Sequence, residues 1–75
     1  MKPRYIKRIR DQRQDHDLTQ KQIAVVLQTT RQVYSRCENG ANEMPIRHLI
    51  ALAHFYRVST DYLLGESDDP RRRQR

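Results

Sequence analysis

The sequence predicts an all-α domain built from five short helices. Apolar residues recur at about 100° per residue in successive segments, which is the period of an amphipathic helix. The 75 residues include only two glycines, and no run of alternating β-branched residues predicts a strand. A chain of this length forms one small domain, in which short helices joined by tight connections bury a single core.

The first two helices are predicted from apolar stripes and one capping residue. A helix over about residues 4–15 places Ile6 and Ile9 on one face, together with Arg13. Thr19 is a good N-cap because its hydroxyl can accept a hydrogen bond from the first helical turn. The second helix begins there, and its buried stripe is formed by Ile23, Ala24 and Leu27.

Further caps and breakers delimit the remaining three helices. Thr30 can cap a third helix that ends at residues 39–40, where a glycine suits left-handed backbone. Pro45 marks the start of a fourth helix because its fixed φ suits the first turn. Ser59 can cap a fifth helix that stops at Gly65. The apolar residues of the last two helices are Leu49, Ile50, Leu52, Ala53, Tyr56, Tyr62, Leu63 and Leu64.

Composition divides the chain into a folded part and a tail. Residues 1–65 hold all of the predicted helices, whereas residues 66–75 contain no apolar residue and are expected to form a flexible basic tail. The chain carries 15 Lys and Arg against 9 Asp and Glu, a net charge of +6. This surplus favours a polyanionic partner, although an ordinary solvated surface gives the same balance. The run Arg71, Arg72 and Arg73 either adds phosphate contacts or is only solvated.

Several classes of protein and site are disfavoured. The single cysteine, Cys37, allows no intrachain disulfide and is expected to be a small buried side chain. No apolar run is long enough to cross a membrane and the N-terminus resembles no signal peptide, so a cytoplasmic protein is expected. His48 and His54 are too far apart to share one helix face and are expected to face solvent. We expect no metal, no cofactor and no enzymatic activity, because neither a Gly-rich phosphate loop, a Cys–His pair nor a carboxylate dyad is present.

The segment over residues 18–40 points to function. Two short helices separated by about three residues must cross sharply, and the small Ala24 lets them pass closely. The outward side of the later helix carries only polar side chains, namely Arg31, Gln32, Ser35 and Arg36. Arginine can bond to guanine O6 and N7 and glutamine to adenine N6 and N7, so this side suits the base edges of a major groove. A solvated face is the alternative, because both residue types are good helix formers.

Over residues 5–65 the sequence resembles the phage repressor/Cro family of helix-turn-helix regulators, also called XRE-type. The residues that carry the resemblance are Leu18-Thr19-Gln20, Ile23-Ala24, Leu27, Thr29-Thr30-Arg31-Gln32, Ser35-Arg36, Glu38-Asn39-Gly40, the stretch 49–53 and the stretch 58–65. The resemblance implies a compact five-helix, lambda-repressor-like DNA-binding domain within residues 1–65. It implies a sequence-specific regulator of transcription, with repression as the favoured role.

The resemblance also implies which residues meet double-stranded DNA. The helix over about residues 31–38 is expected in the major groove, and the expected base contacts are Gln20, Arg31, Gln32, Ser35 and Arg36. The expected phosphate contacts are Thr19, Thr30, Asn39 and Arg47. Gln28 stands where the family usually has glycine, which predicts a positive φ at that residue.

An ion pair within the domain and a contact between two subunits are also expected. Arg13 and Glu38 each fall on the apolar side of a helix, and we expect them to pair because an isolated buried charge is costly. The family has a matching pair, which supports this. A homodimer, at least on DNA, is expected to bind an inverted repeat with half-sites about one helical turn apart. In the family the region of the fourth and fifth helices supplies the dimer contact, so the resemblance implies as candidate interface residues Phe55, Tyr56, Val58, Tyr62 and Leu63.

A protein-interaction module is the alternative function. Some relatives of this fold are antitoxins, which hold a partner protein and also bind their own promoter. The segment that would hold such a partner is the tail from Glu66, which is short and lacks apolar anchors. A protein partner therefore remains an alternative to DNA.

Overall fold

The computed structural model describes residues 3–71, which form five helices and, within that range, no strand. The helices are α1 (Arg4–Asp15), α2 (Gln20–Val26), α3 (Arg31–Glu38), α4 (Ile46–Tyr56) and α5 (Thr60–Leu64). This confirms the predicted all-α class. Helix α1 packs against α3 and α5, α2 packs against α3, and α4 packs against α5, so the helices surround one core.

Hydroxyl N-caps start three of the helices, as the sequence predicts. The Thr19 hydroxyl accepts a hydrogen bond from Gln22 N at 3.1 Å, and the Gln22 side chain accepts one from Thr19 N at 2.8 Å, which completes a capping box. Thr30 and Ser59 cap α3 and α5 in the same way, each accepting a backbone N–H three residues on, at 3.2 and 3.0 Å. Such a cap typically contributes about 1 kcal/mol, so the starts of α2, α3 and α5 are fixed locally.

Left-handed backbone follows several helices. Gly40 has φ 88° after α3, and Gly65 has φ 81° after α5. Gly65 also lies against α1, where an added Cβ would come within 2.5 Å of the Arg4 Cβ, so a larger residue would force the two helices apart. Gln28 has φ 57°, which confirms the predicted positive φ between α2 and α3. Arg57 caps the end of α4 with φ 58°, which the sequence did not predict.

The core draws on all five helices and on the connections that follow α2 and α4. Its members are Ile9, Ile23, Ala24, Leu27, Tyr34, Leu49, Leu52, Ala53, Tyr56, Val58 and Leu63. Cys37 is buried as predicted, with its Sγ 3.7 Å from the carbonyl oxygen of Glu43. Burial raises the pKa of the Cys37 thiol, which favours its protonated form.

The expectation for His48 was wrong. Its side chain is 7% exposed instead of facing solvent, because it lies four residues before Leu52 and so shares the buried face of α4. Burial, with a smaller contribution from the Arg47 charge, lowers the pKa of His48. His54 is exposed, as the sequence predicts.

Residues 66–71 of the predicted tail are mostly exposed and make a few contacts with the helical part of the chain. Arg8 on α1 contacts Asp68, with 2.7 Å between Nη2 and Oδ1, and the same side chain lies 4.2 Å from the centre of the Tyr62 ring. The backbone N–H of Ser59 donates to the carbonyl of Pro70 at 2.9 Å. The remainder of the tail, with two of the three consecutive arginines, Arg72 and Arg73, lies outside the described residues.

Candidate nucleic-acid interface

The first turn of α3 presents two of the predicted base contacts. Arg31 and Gln32 are its first two residues, and both are exposed. The Thr30 cap precedes them and fixes where the helix begins. Two long polar side chains therefore leave the domain from the positive end of one helix dipole, an orientation that suits a negatively charged partner.

The second turn of α3 carries the other two predicted contacts on this helix. Arg36 is exposed, whereas Ser35 is only partly exposed and has a shorter reach. Val33 is 37% exposed and adds an apolar contact surface beside them. The opposite side of α3 is buried through Tyr34 and Cys37, so the orientation of the exposed side is set by the core.

An ion pair joins α3 to α1. Arg13 holds Glu38 with two hydrogen bonds, 2.9 Å from Nε to Oε2 and 2.7 Å from Nη2 to Oε1. The side chains are 14% and 3% exposed, so this pair lies inside the domain. Arg13 Nη1 also donates to the carbonyl of Leu18 at 2.9 Å, which ties the chain just before α2 to the same group.

The environment of Glu38 keeps its carboxyl ionised. Burial is the largest influence and would raise its pKa, but the hydrogen bonds and charge of Arg13, together with other donors, lower the pKa below the ordinary value. The Tyr34 hydroxyl lies near this carboxylate, although its geometry falls short of a hydrogen bond. Burial is also the main reason that the pKa of the Tyr34 hydroxyl is raised, so this neighbour stays neutral.

Gln20 is directed differently from its predicted role. It is the first residue of α2, and its Nε2 donates to Glu38 Oε1 at 3.3 Å. The side chain is partly buried, so one end of its amide supports the ion pair instead of pointing away from the domain. The predicted base contact by Gln20 would require the amide to leave this bond or to use its remaining atoms.

The four predicted phosphate contacts lie at helix ends. Thr19 and Thr30 use their hydroxyl oxygens as caps, which leaves each hydroxyl hydrogen available for an acceptor. Asn39 follows α3 and is exposed, with its Oδ1 accepting from Ala41 N at 3.0 Å. Arg47 is exposed in the first turn of α4.

Arg10 also contacts Glu38, although the sequence did not identify it as a site residue. It lies on α1, and its Nη2 donates to the backbone carbonyl of Glu38 at 3.2 Å. Its Nε is 3.8 Å from Glu38 Oε1, and the side chain is 42% exposed. The only signal in the sequence is its position three residues before Arg13, and that spacing does not identify the part of α3 it reaches.

The predicted dimer surface is largely interior. Tyr56, Val58 and Leu63 are 6%, 7% and 0% exposed and belong to the core, so they offer no surface to a partner. The apolar periodicity of α4 and α5 marks them as buried but does not distinguish burial by the domain from burial by a second subunit. Phe55 is 43% exposed and Tyr62 is partly exposed, so these two remain from the predicted set.

Other kinds of site find no support within residues 3–71. That part of the chain contains no group of three His, Cys, Asp or Glu side chains placed to hold a metal ion. None of its helices combines the length and apolar character needed to cross a membrane.

The known proteins to which this chain is similar are regulators of transcription, and the matching family model is a helix-turn-helix. A family model described as helix-turn-helix matches residues 9–63. An uncharacterized HTH-type transcriptional regulator, YobD, of Bacillus subtilis (strain 168) is 38% identical over 66 residues, which are 88% of this chain and 59% of YobD. The crystal structure of a transcriptional regulator from Listeria innocua superposes with a TM-score of 0.79 at 25% identity, covering 87% of this chain and 61% of that one. The chain therefore spans about three-fifths of the length of each of these two proteins.

Proposed function

The chain belongs to the helix-turn-helix family, of the XRE type that its sequence resembles, and from this membership we propose that it regulates transcription by binding specific sites on double-stranded DNA. The observation that carries the proposal is the exposed, capped start of α3 with Arg31 and Gln32. This turn enters the major groove, where both side chains meet base edges and Arg36 follows one turn later. Ser35 adds a weaker contact.

Affinity and choice of site come from different residues in this proposal. Thr19, Thr30, Asn39 and Arg47 contact phosphates, which position the domain without reading sequence. The net charge of +6 adds long-range attraction to a polyanion. Discrimination between sites then rests on the polar side chains of α3, because only base edges differ from one site to another.

The proposed biological role is repression by a homodimer. A domain that fills a stretch of major groove excludes other proteins from it, which is the simplest way to repress. Two copies related by a two-fold axis bind an inverted repeat, with half-sites about one helical turn apart. Phe55 and Tyr62 are the remaining candidates for contact between the copies. The protein acts in the cytoplasm as a binding protein, with no catalytic step.

Selection of bound duplexes from a random DNA pool tests this proposal. Wild type is run beside Gln32→Ala and beside Gln14→Ala, which removes an exposed glutamine from α1 instead. We expect wild type and Gln14→Ala to select the same inverted repeat, and Gln32→Ala to lose preference at one position of each half-site. A wild-type pool with no enriched sequence at moderate salt would contradict the proposed function.

A further inference from the structure

The Glu38 carboxylate is approached by two arginines, although one is sufficient to balance its charge. Arg13 occupies both carboxylate oxygens at 2.9 and 2.7 Å. The Arg10 Nε lies 3.8 Å from the nearer carboxylate oxygen, and Arg10 donates its hydrogen bond to the Glu38 backbone carbonyl instead. The group of three therefore carries one surplus positive charge, and that charge belongs to Arg10.

The Arg10 side chain is oriented by one hydrogen bond and keeps unused donors. A guanidinium has five N–H donors, and the bond to the Glu38 carbonyl uses one of them. The side chain is 42% exposed, against 14% for Arg13, so the other donors of Arg10 can reach an outside acceptor. A planar guanidinium with several free donors binds phosphate oxygens well.

The position of Arg10 matches the edge of the groove that α3 would occupy. The carbonyl that it holds belongs to the peptide group joining Glu38 to Asn39, a proposed phosphate contact. A recognition helix contacts base edges with its N-terminal residues. Helix α3 has eight residues, about 12 Å at the rise of an α-helix, so its last residue lies well away from those base edges, on the side of the sugar–phosphate backbone.

We propose that Arg10 is a phosphate-contacting residue, oriented by the Glu38 carbonyl at the end of α3. This inference rests on the proposed DNA-binding function. It adds α1 to the interface, and this helix lies outside the helix-turn-helix unit itself. Since phosphate contacts carry no sequence information, the contribution of Arg10 is the same on every duplex.

A purely structural role is the competing explanation. A cation at the carboxyl end of a helix is favourable because it faces the negative end of the helix dipole and binds a free carbonyl. In that case Arg10 stabilises α3 and makes no contact with DNA. The two roles differ in salt dependence, because only the loss of a phosphate contact reduces the number of counterions released on binding.

The test compares Arg10→Gln with Lys7→Gln. Both changes remove one positive charge from α1, but Lys7 lies one turn earlier, is 82% exposed and is paired with Asp11 at 2.7 Å. Association constants are measured at several salt concentrations for the duplex selected by wild type and for a random duplex. Thermal unfolding of each variant identifies temperatures at which it is fully folded.

We expect Arg10→Gln to weaken binding by the same factor on both duplexes and to reduce the slope of log K against log salt by about one. Lys7→Gln should leave that slope close to the wild-type value, and Arg10→Lys should restore it because the charge is kept. Equal slopes for Arg10→Gln and Lys7→Gln, or a lower melting temperature with an unchanged slope, would overturn the inference while the proposed function stands. A wild type that binds neither duplex would instead refute the proposed function, and the inference with it.

Discussion

Replacing Glu38 with alanine removes the carboxylate that Arg13 holds and leaves a guanidinium inside the domain. Arg13 would lose hydrogen bonds of 2.9 and 2.7 Å and keep only its bond to the Leu18 carbonyl. Gln20 would lose its acceptor at the start of α2. The substitution therefore acts on α1, α2 and α3 together, and we expect it to destabilise the whole fold.

The magnitude follows from the burial of the pair. Removing one partner of a buried ion pair typically costs about 3–5 kcal/mol, because the other charge stays desolvated without compensation. Arg13 is 14% exposed and can recover some hydration, so we expect a loss near the lower limit, about 3 kcal/mol. At roughly 0.05–0.15 kcal/mol per residue, a domain of this length has only about 4–11 kcal/mol of unfolding free energy. The variant should retain only about 1–8 kcal/mol of that free energy.

Urea unfolding followed by circular dichroism measures this loss. Glu43→Ala is the matched control, because Glu43 is exposed and its side chain takes no part in the pair; its effect should stay within about 0.5 kcal/mol. The double variant Arg13→Met, Glu38→Leu should recover most of the stability, since it removes both charges and keeps their volume apolar. A free energy of unfolding for Glu38→Ala within about 0.5 kcal/mol of wild type would refute this account of the pair.

Three further outcomes are expected. The pKa of Glu38 is lower in the folded chain than its ordinary value of 4.5. The ionised carboxylate therefore stabilises the fold fully above pH 4.5, and this contribution is lost as the pH falls through the folded pKa. Urea titrations from pH 7 downwards should show the loss for wild type but not for Glu38→Gln. Gln28→Gly should raise the free energy of unfolding by about 1 kcal/mol because it relieves a positive φ. Gln14→Gly inside α1 should lower it by a similar amount. Melting temperatures that shift in the same direction for both variants would contradict this. Arg31→Ala should cost about 1–3 kcal/mol on the selected duplex and much less on random DNA, and equal losses on both would exclude a base contact at Arg31.

The features that the sequence predicted well follow from local hydrogen-bond patterns and from the cost of burying a charge. Thr19, Thr30 and Ser59 cap helices through hydrogen bonds that span three residues, so their pattern is visible without a structure. The charges of Arg13 and Glu38 were predicted to meet because each lies on an otherwise apolar helix side, and the cost of an isolated buried charge leaves few other arrangements. Sequence and energetics together were sufficient in these cases.

The features that the sequence missed depend on how helices meet. Whether Arg10 reaches the end of α3 depends on the crossing of the two helices, which periodicity within α1 does not determine. The sequence also did not show that Glu38 comes close enough to give the Gln20 amide an acceptor at 3.3 Å. Val58 and Leu63 were candidate dimer contacts because the family resemblance assigns that contact to the last two helices. Their apolar character fits burial by the domain or by a second subunit, and only the packing of α4 against α5 shows that the domain buries them.

The position of Glu38 also connects the stability of the fold with the geometry of the proposed reading surface. An isolated helix of eight residues is unstable in water, so α3 depends on tertiary contacts for its shape and direction. Its start is fixed by the Thr30 cap, and its end is held through Glu38 by Arg13 from α1 and by Gln20 from α2. The exposed side chains of Arg31 and Gln32 are thus presented by a helix secured at both ends. A change at Glu38 should therefore weaken sequence discrimination even at temperatures where most of the molecules remain folded, because the orientation of α3 relative to α1 and α2 would no longer be fixed.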